Sequence, residues 1–440
     1  MRGAPRASVR DGPVNGGPDA DIDTATATAT DIENLLRAEA PQVLGALVRR
    51  FGRFDTAEDA VQEALLVASR TWQAEGIPED PRSWLIRIGY RRMVDLLRSD
   101  RARRRREREV GMTELAMGET DRRAGPPQET DDSLTLLLLC CHPALSHASQ
   151  VALTLRAVGG LTTAEIAHAY GTSETTMGTR ISRAKQQLIR AGAHFTAPTA
   201  ADRPGRMTAA MRVLYLIFNE GYTATTGDEL ARVDLTGEAI RLTRTLADTM
   251  PDDGEVTGLL ALMLLTESRR AARTGDDGGL LPLDEQDRTR WNGHLIREGT
   301  ELIDRVWNGS GTGPYQLQAA IAALHAAATT PQHTDWPQIA MLYLWLERLT
   351  PTPPVRLSRV VAVAQAFGPA RGLTLLDDLN RRHGLDRAPL TRQRERAVRA
   401  HLVQMTGDTA GATTLYREAA ALTDNQVERR YLLDEADRLT

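Results

Sequence analysis

Along most of the chain, large apolar residues recur at spacings of three and four, the period of an amphipathic helix. No stretch alternates convincingly with the period of two that a half-buried strand requires. The pattern predicts an all-α protein. A first block runs from about Asp31 to Arg108. It carries Leu35, Leu36, Val43, Leu47 and Val48, then Ala60, Val61, Ala64, Leu65 and Val67, then Trp84, Leu85, Ile88, Met93, Leu96 and Leu97. A second block spans about Ser133 to Ala193. Beyond a joint at Pro198 to Pro204 the pattern predicts consecutive helices separated by Gly and Pro: Met207–Phe218, Leu235–Asp248, Glu255–Arg273, Glu285–Trp307, Gln316–Ala328, Trp336–Leu349, Val355–Phe367, Arg371–His383, Thr391–Met405, Thr409–Leu422 and Gln426–Leu439.

The stretches without this pattern divide the chain. Residues 1–30 hold Gly, Pro, Asp and an alternating Thr-Ala run, too little apolar surface to offset the entropy of ordering, and are expected to be disordered. Residues 109–132 are polar around Gly125-Pro126-Pro127 and are expected to be a linker. The predicted organisation is a tail (1–30), a helical domain (31–108), a linker (109–132), a second small helical domain (133–195) and a helical extension (205–440).

At 440 residues the chain is too long for one core, which agrees with this division. No apolar run reaches the roughly 18 to 20 residues of a membrane-spanning helix, and the N-terminus lacks a basic segment followed by an apolar one. The expectation is a protein that stays in the cytoplasm, without membrane contact. The two cysteines, Cys140 and Cys141, are adjacent, which excludes a disulfide framework. With His142 and His147 nearby they invite comparison with a metal site, but structural zinc sites separate paired ligands by about two to four residues. Buried thiols in an apolar helix are the preferred reading, and no metal or cofactor is expected.

The formal net charge is only −4, but its distribution is uneven. Between Pro81 and Arg108, eleven arginines face three acidic residues (Asp95, Asp100 and Glu107), a local charge of +8. Such a patch is the electrostatic footprint of a nucleic-acid-binding element, against the plainer alternative of a solvated basic helix face.

A second DNA signal lies at Leu161–Lys185. Thr162 followed three residues later by Glu165 predicts a capping box, starting a short helix with Ile166 and Tyr170 on its inner face. Gly171 ends that helix, and Ser173 caps a second one whose buried side is Met177, Ile181, Ala184 and Leu188. Two short helices joined by a tight turn containing Gly make the hairpin whose second helix enters the major groove. Its outward face offers Thr175, Thr176, Thr179, Arg180, Arg183 and Lys185, suited to phosphates and guanine edges. Gly178 dissents, costing about 1 kcal/mol relative to Ala inside a helix.

With these strings in view, the chain resembles a sigma factor of the extracytoplasmic-function group of the sigma-70 family. Phe54-Asp-Thr-Ala-Glu-Asp-Ala-Val-Gln-Glu-Ala-Leu66 is similar to the family's polymerase-docking region, and the resemblance implies contacts with core RNA polymerase from Asp59, Gln62 and Glu63. Pro81–Arg98 is similar to the element that recognises and melts the minus-ten promoter box. That similarity implies promoter contact by Arg91, Arg92, Asp95 and Arg98, with Trp84 a core anchor. The hairpin is the centre of the region that reads the minus-thirty-five box. Family members commonly carry a basic residue where Gly178 stands.

Leu139–Leu145, Tyr215–Tyr222, Leu259–Leu265, Asp284–Trp291 and Gly313–Ile321 resemble strings of a subgroup with a long C-terminal extension. Gly407–Leu422 is similar to a tetratricopeptide unit, in which small residues let paired helices approach and a tyrosine fills the groove. Stacked helix pairs leave a concave surface suited to a regulatory protein or peptide. Asn219–Tyr222, Asp276–Gly279 and Glu285–Arg288 with Trp291 are read first as caps, turns and satisfied polar networks, and second as a ligand pocket or a contact back to the DNA-binding part. No nucleophile, base and orienting group fall together and no glycine loop cradles phosphate, so no catalytic residue is expected. A conventional duplex-binding regulator and a helical-repeat scaffold are the alternatives. The first leaves the Asp59 and Glu63 face unexplained, and the second predicts no promoter melting.

Overall fold

The computed structural model describes residues 19–110, 132–193, 195, 199–222, 233–275, 280–307, 311–423 and 425–440. Every extended element among them is a helix, and an isolated antiparallel bridge pairs Thr274 with Leu280. The chain divides into two compact units, residues 1–133 and 134–440.

In the first unit α1 (Asp19–Phe51), α2 (Phe54–Glu75) and α3 (Pro81–Val110) pack on one another. The core combines Val43, Leu47 and Val48 of α1, Ala57, Ala60, Val61, Ala64, Ala68 and Trp72 of α2, and Leu85, Ile86 and Met93 of α3. The small residues of α2 let its neighbours approach closely. Gly89 does the same for α3, since a Cβ there would lie 2.9 Å from Leu47 Cδ1. Trp84 packs edge-on against the buried Trp72, with ring centroids 5.5 Å apart. Asp80 starts α3, its Oδ1 accepting the Ser83 N–H at 3.0 Å, with Pro81 at the first helical position where a missing N–H costs nothing.

Two boundaries differ from the expectation. Helix α1 begins at Asp19, inside the stretch expected to be disordered. Alanine is the strongest helix former, so an alanine-rich run can continue a helix ahead of the core positions Ile32 and Leu36. Residues 1–18 lie outside the described residues. The linker is shorter than expected at both ends. Helix α3 continues to Val110, and Asp132 is buried with Oδ1 3.2 Å from Arg49 Nη1. Residues 111–131, with Gly125-Pro126-Pro127, lie outside the described residues.

The second unit opens with α4 (Ser133–Cys140), α5 (His147–Ala157), α6 (Thr163–Ala169) and α7 (Glu174–Arg190). Cys140 and Cys141 are fully buried, and burial pushes the Cys141 thiol up to about 12. Eleven helices follow: α8 (Arg203–Tyr222), α9 (Val233–Thr249), α10 (Gly254–Glu267), α11 (Gly293–Trp307), α12 (Pro314–Ala327), α13 (Trp336–Leu349), α14 (Pro353–Phe367), α15 (Pro369–His383), α16 (Pro389–Met405), α17 (Thr409–Ala420) and α18 (Gln426–Arg438). Helices adjacent in sequence pack together in turn, α13 on α14, α14 on α15, α16 on α17 and α17 on α18. The joint expected at Pro198 to Pro204 ends earlier, because Pro204 sits in the first turn of α8, where proline is tolerated.

The helices expected at Glu255–Arg273 and Glu285–Trp307 are each shorter. Short 3-10 turns at Arg270–Ala272 and Arg288–Arg290 replace their outer ends. There Arg288 donates through Nη1 to the carbonyls of His325 and Ala328, at 2.7 and 2.6 Å, satisfying the open C-terminus of α12. The start of α12 is served by Glu255, whose carboxylate accepts the N–H groups of Tyr315 and Gln316 at 3.1 and 3.0 Å. Near the C-terminus, Tyr416 is buried and donates to Gln404 Oε1 at 2.7 Å, while Ala412, Ala419 and Ala420 let α17 lie close to its neighbours.

Candidate polymerase and promoter interfaces

On α2 the buried positions are Phe54, Ala57, Glu58, Ala60, Val61, Ala64, Ala68 and Trp72, which leaves Asp59 exposed and Gln62 and Glu63 half-buried at the edge of the same face. Leu66 follows on this face and is 60% exposed. Sequence reading passed over it, although its register, two residues past Ala64 and two before Ala68, excludes it from the core. The α2–α3 loop exposes a further apolar side chain, Ile77. Glu63 is tied to the next helix, with Oε2 3.3 Å from Arg92 Nε.

On α3, Leu85, Ile86, Gly89 and Met93 face inward, and Arg87, Arg91, Arg92, Asp95 and Arg98 face solvent. Arg87, Arg91 and Arg98 fall at i, i+4 and i+11, one basic stripe. Asp95 sits beside it, 3.9 Å from Arg98, where it moderates the local charge. Trp84 is half-buried against Trp72.

The hairpin in the second unit follows from its caps. The Thr162 side chain accepts the Glu165 N–H at 3.1 Å and the Glu165 carboxylate accepts the Thr162 N–H at 2.6 Å. Gly171 adopts a φ of +56°, a left-handed conformation that turns the chain without a Cβ penalty. Ser173 then caps α7 by accepting the Thr176 N–H at 3.2 Å. Met177, Ile181, Ala184 and Leu188 are buried, as their spacing predicts. Tyr170 is partly buried at the end of α6, with its hydroxyl shielded from solvent. Burial and the nearby Glu220 hold that phenol above its ordinary pKa, so it remains a donor.

The six outward candidates on α7 do not form one class. Thr175, Thr176, Thr179 and Arg183 are exposed, Lys185 is half-buried, and Arg180 is half-buried in a cleft with Leu216 and Glu220 of α8. Thr176 and Thr179 already serve the helix, through Ser173 Oγ and the Thr175 carbonyl. Gly178 has room, since a Cβ there would meet nothing closer than Thr163 Cγ2 at 3.8 Å.

Helix α8 packs on α5, so the extension and the hairpin form one unit. Arg206 donates to the Leu138 carbonyl at 3.0 Å and Arg241 to the Val158 carbonyl at 3.3 Å, each closing an end of the hairpin's scaffold. The polar strings of the extension divide. Arg273 stacks over the Tyr222 ring at 3.7 Å, and Gln286 donates to the Leu281 carbonyl at 3.0 Å. Asp276–Gly279 lies outside the described residues. No group of three or more acidic, His or Cys residues able to hold a metal ion occurs among the described residues, and no helix there is long and apolar enough to cross a membrane.

Three segments of the chain match known families. Residues 35–104 match sigma-70 region 2 and residues 135–188 match sigma-70 region 4. Residues 206–307 match a family of unknown function, DUF6596. An uncharacterised protein of Rhizobium meliloti is 40% identical over 93% of this chain and 96% of its own length. The RNA polymerase sigma factor CnrH of Cupriavidus metallidurans is 32% identical over 33% of this chain and 78% of its own length. A basic helix matching region 2, a capped helix-turn-helix matching region 4 and this relative converge: the chain belongs to the sigma-70 family of sigma factors, transcription initiation proteins rather than enzymes.

Proposed function

We propose that this sigma factor is of the extracytoplasmic-function type, acts in the cytoplasm and carries its own regulator as the covalent extension from residue 205 onward. Core RNA polymerase docks on the α2 face of Asp59, Gln62 and Glu63, with Leu66 adding apolar contact. The exposed α3 side chains Arg91, Arg92 and Arg98, with Asp95, meet the minus-ten box, where a basic surface offsets the phosphate charge that crowds single strands. Thr175, Thr176, Thr179, Arg183 and Lys185 meet the minus-thirty-five box, with Arg180 contributing when it leaves its cleft.

The observation that carries the regulatory part is the clamp of α8 and α9 on the hairpin's scaffold through Arg206 and Arg241. An element that touches α5 and borders α7 can alter how the recognition helix meets DNA. The stacked helices beyond α12 offer a surface for a protein or peptide that would set this clamp. Reconstituted transcription with core polymerase and a promoter library tests the reading. The full chain should confer start-site selection. Replacing Arg206 and Arg241 together by Glu should change the yield from the selected promoters. Unaltered transcription from that variant would defeat the regulatory part, and absence of start-site selection by the full chain would defeat the rest.

A further inference from the structure

The string Asp284–Trp291, which the promoter reading leaves unused, brings basic side chains to the place where α10 and α12 end. The Asn292 N–H donates to the Ser268 carbonyl at 2.8 Å, which seats the Arg288–Arg290 turn against the segment following α10. Arg288 is fixed there, its Nη1 bonded to the His325 and Ala328 carbonyls and its guanidinium carbon 4.5 Å from the centre of the Trp291 ring. The other edge of this guanidinium is unused, because its Nε is shielded from solvent and has no acceptor. His325 Nδ1 and the N–H of Trp291, a residue only 7% exposed, share that condition. Buried polar groups are as a rule hydrogen-bonded, so unpaired ones gathered at one place point to a missing partner.

Arg269, half-buried just ahead of the Arg270–Ala272 turn, makes no side-chain hydrogen bond or ion pair among the described residues. Its charge acts on Arg288, on His325 and on Arg273, the last already stacked over Tyr222. The acids close by are committed elsewhere, Glu267 to Arg270 at 2.7 Å and Asp287 to the N–H and hydroxyl of Thr289. The helix ends add about half a negative charge each, but the Ser268, His325 and Ala328 carbonyls there are taken by Asn292 and Arg288. The place is therefore cationic and short of acceptors.

We infer that Arg269, Arg288 and His325 form a binding site for the phosphate group of a small molecule. The unused edge of Arg288 takes two phosphate oxygens in its fork, Arg269 takes a third, and His325 donates from Nδ1 in the tautomer that carries the proton there. A doubly charged phosphate matches two guanidinium groups, and its tetrahedral oxygens accept from donors arriving on different elements. A planar carboxylate carries half the charge and satisfies one fork. Arg269, Arg288 and His325 each keep part of their surface in solvent, which gives the phosphate its way in. The site lies wholly within the extension and does not depend on the promoter reading.

Calorimetry on the full chain at constant ionic strength, without polymerase or DNA, tests the site. The probes are inorganic phosphate and methyl phosphate, with acetate as the carboxylate. Both phosphates should bind saturably, and acetate at least tenfold more weakly. Arg269→Gln should weaken phosphate binding at least tenfold without lowering the melting temperature in phosphate-free buffer, because the guanidinium it removes has no partner in the protein. Arg288→Lys keeps the charge but loses the fork, and should weaken binding severalfold. No saturable binding of either phosphate, as would follow if an acidic side chain of the chain itself filled the place, overturns the site. Equal binding of acetate, or undiminished phosphate binding by either variant, overturns it as well.

Discussion

Arg92 on α3 lies 3.3 Å from Glu63 on α2, Nε to Oε2, so an ion pair joins the surface proposed to dock on polymerase to the surface proposed to meet the minus-ten box. Both side chains are nearly half exposed, which keeps the pair's contribution to stability at roughly 0 to 1 kcal/mol. The pair therefore adds little to holding the fold together.

Replacing Asp59 and Glu63 together by Ala should abolish co-purification with core polymerase and leave the helical circular dichroism unchanged. Arg92→Ala should shift the melting temperature little, since it breaks only a solvent-screened pair. A variant lacking Asp59 and Glu63 that still co-purifies would remove these residues from the docking site.

On the recognition helix the two arginines should separate. Arg183 is exposed and Arg180 is half-buried in its cleft. Arg183→Ala should weaken binding to minus-thirty-five duplex by about 1 to 3 kcal/mol with relaxed specificity if it reads a base edge, or uniformly and with a shallower salt slope if it holds phosphate. Arg180→Ala should cost less. Fluorescence anisotropy across a salt series measures both, and equal losses would contradict the orientation of Arg180.

Gly258 permits the close approach of α10 and α12, since a Cβ there would stand 2.8 Å from the Gln316 backbone nitrogen. Ala is the better helix former by about 1 kcal/mol, but separating the two helices costs about 1 to 3 kcal/mol. Gly258→Ala should lower the stability measured in urea. A stabilised variant would show that the helices part freely.

His325 should make the extension acid-sensitive. Burial, reinforced by Arg269 and Arg288, lowers its pKa from 6.5 to about 4. A depressed folded-state pKa means that the stability is present above pH 6.5 and is lost as pH falls toward 4, because the unfolded chain takes up the proton first. That loss amounts to at most roughly 3 kcal/mol. The melting temperature of His325→Asn should fall less steeply between pH 6.5 and 4 than that of the native chain, and parallel curves would exclude His325 as the cause.

The all-helical class, the capping box at Thr162, the Ser173 cap and the buried register of Met177, Ile181, Ala184 and Leu188 were determined by the sequence alone. Each follows from interactions within a few residues, where capping and the 3.6-residue period leave few alternatives. The helix starts at Asp19 and Arg203 were misread because alanine-rich and proline-first turns carry a weak periodic signal. Tertiary structure alone decided that Arg180 lies beside Leu216 and Glu220 while Arg183 stays exposed. It also decided that Glu255 and Arg288 serve opposite ends of α12, and that Glu63 holds Arg92. These pairings join residues distant in sequence, and which charged side chain meets which depends on how whole helices cross. The local pattern of apolar positions specifies a buried face but not the neighbour that covers it.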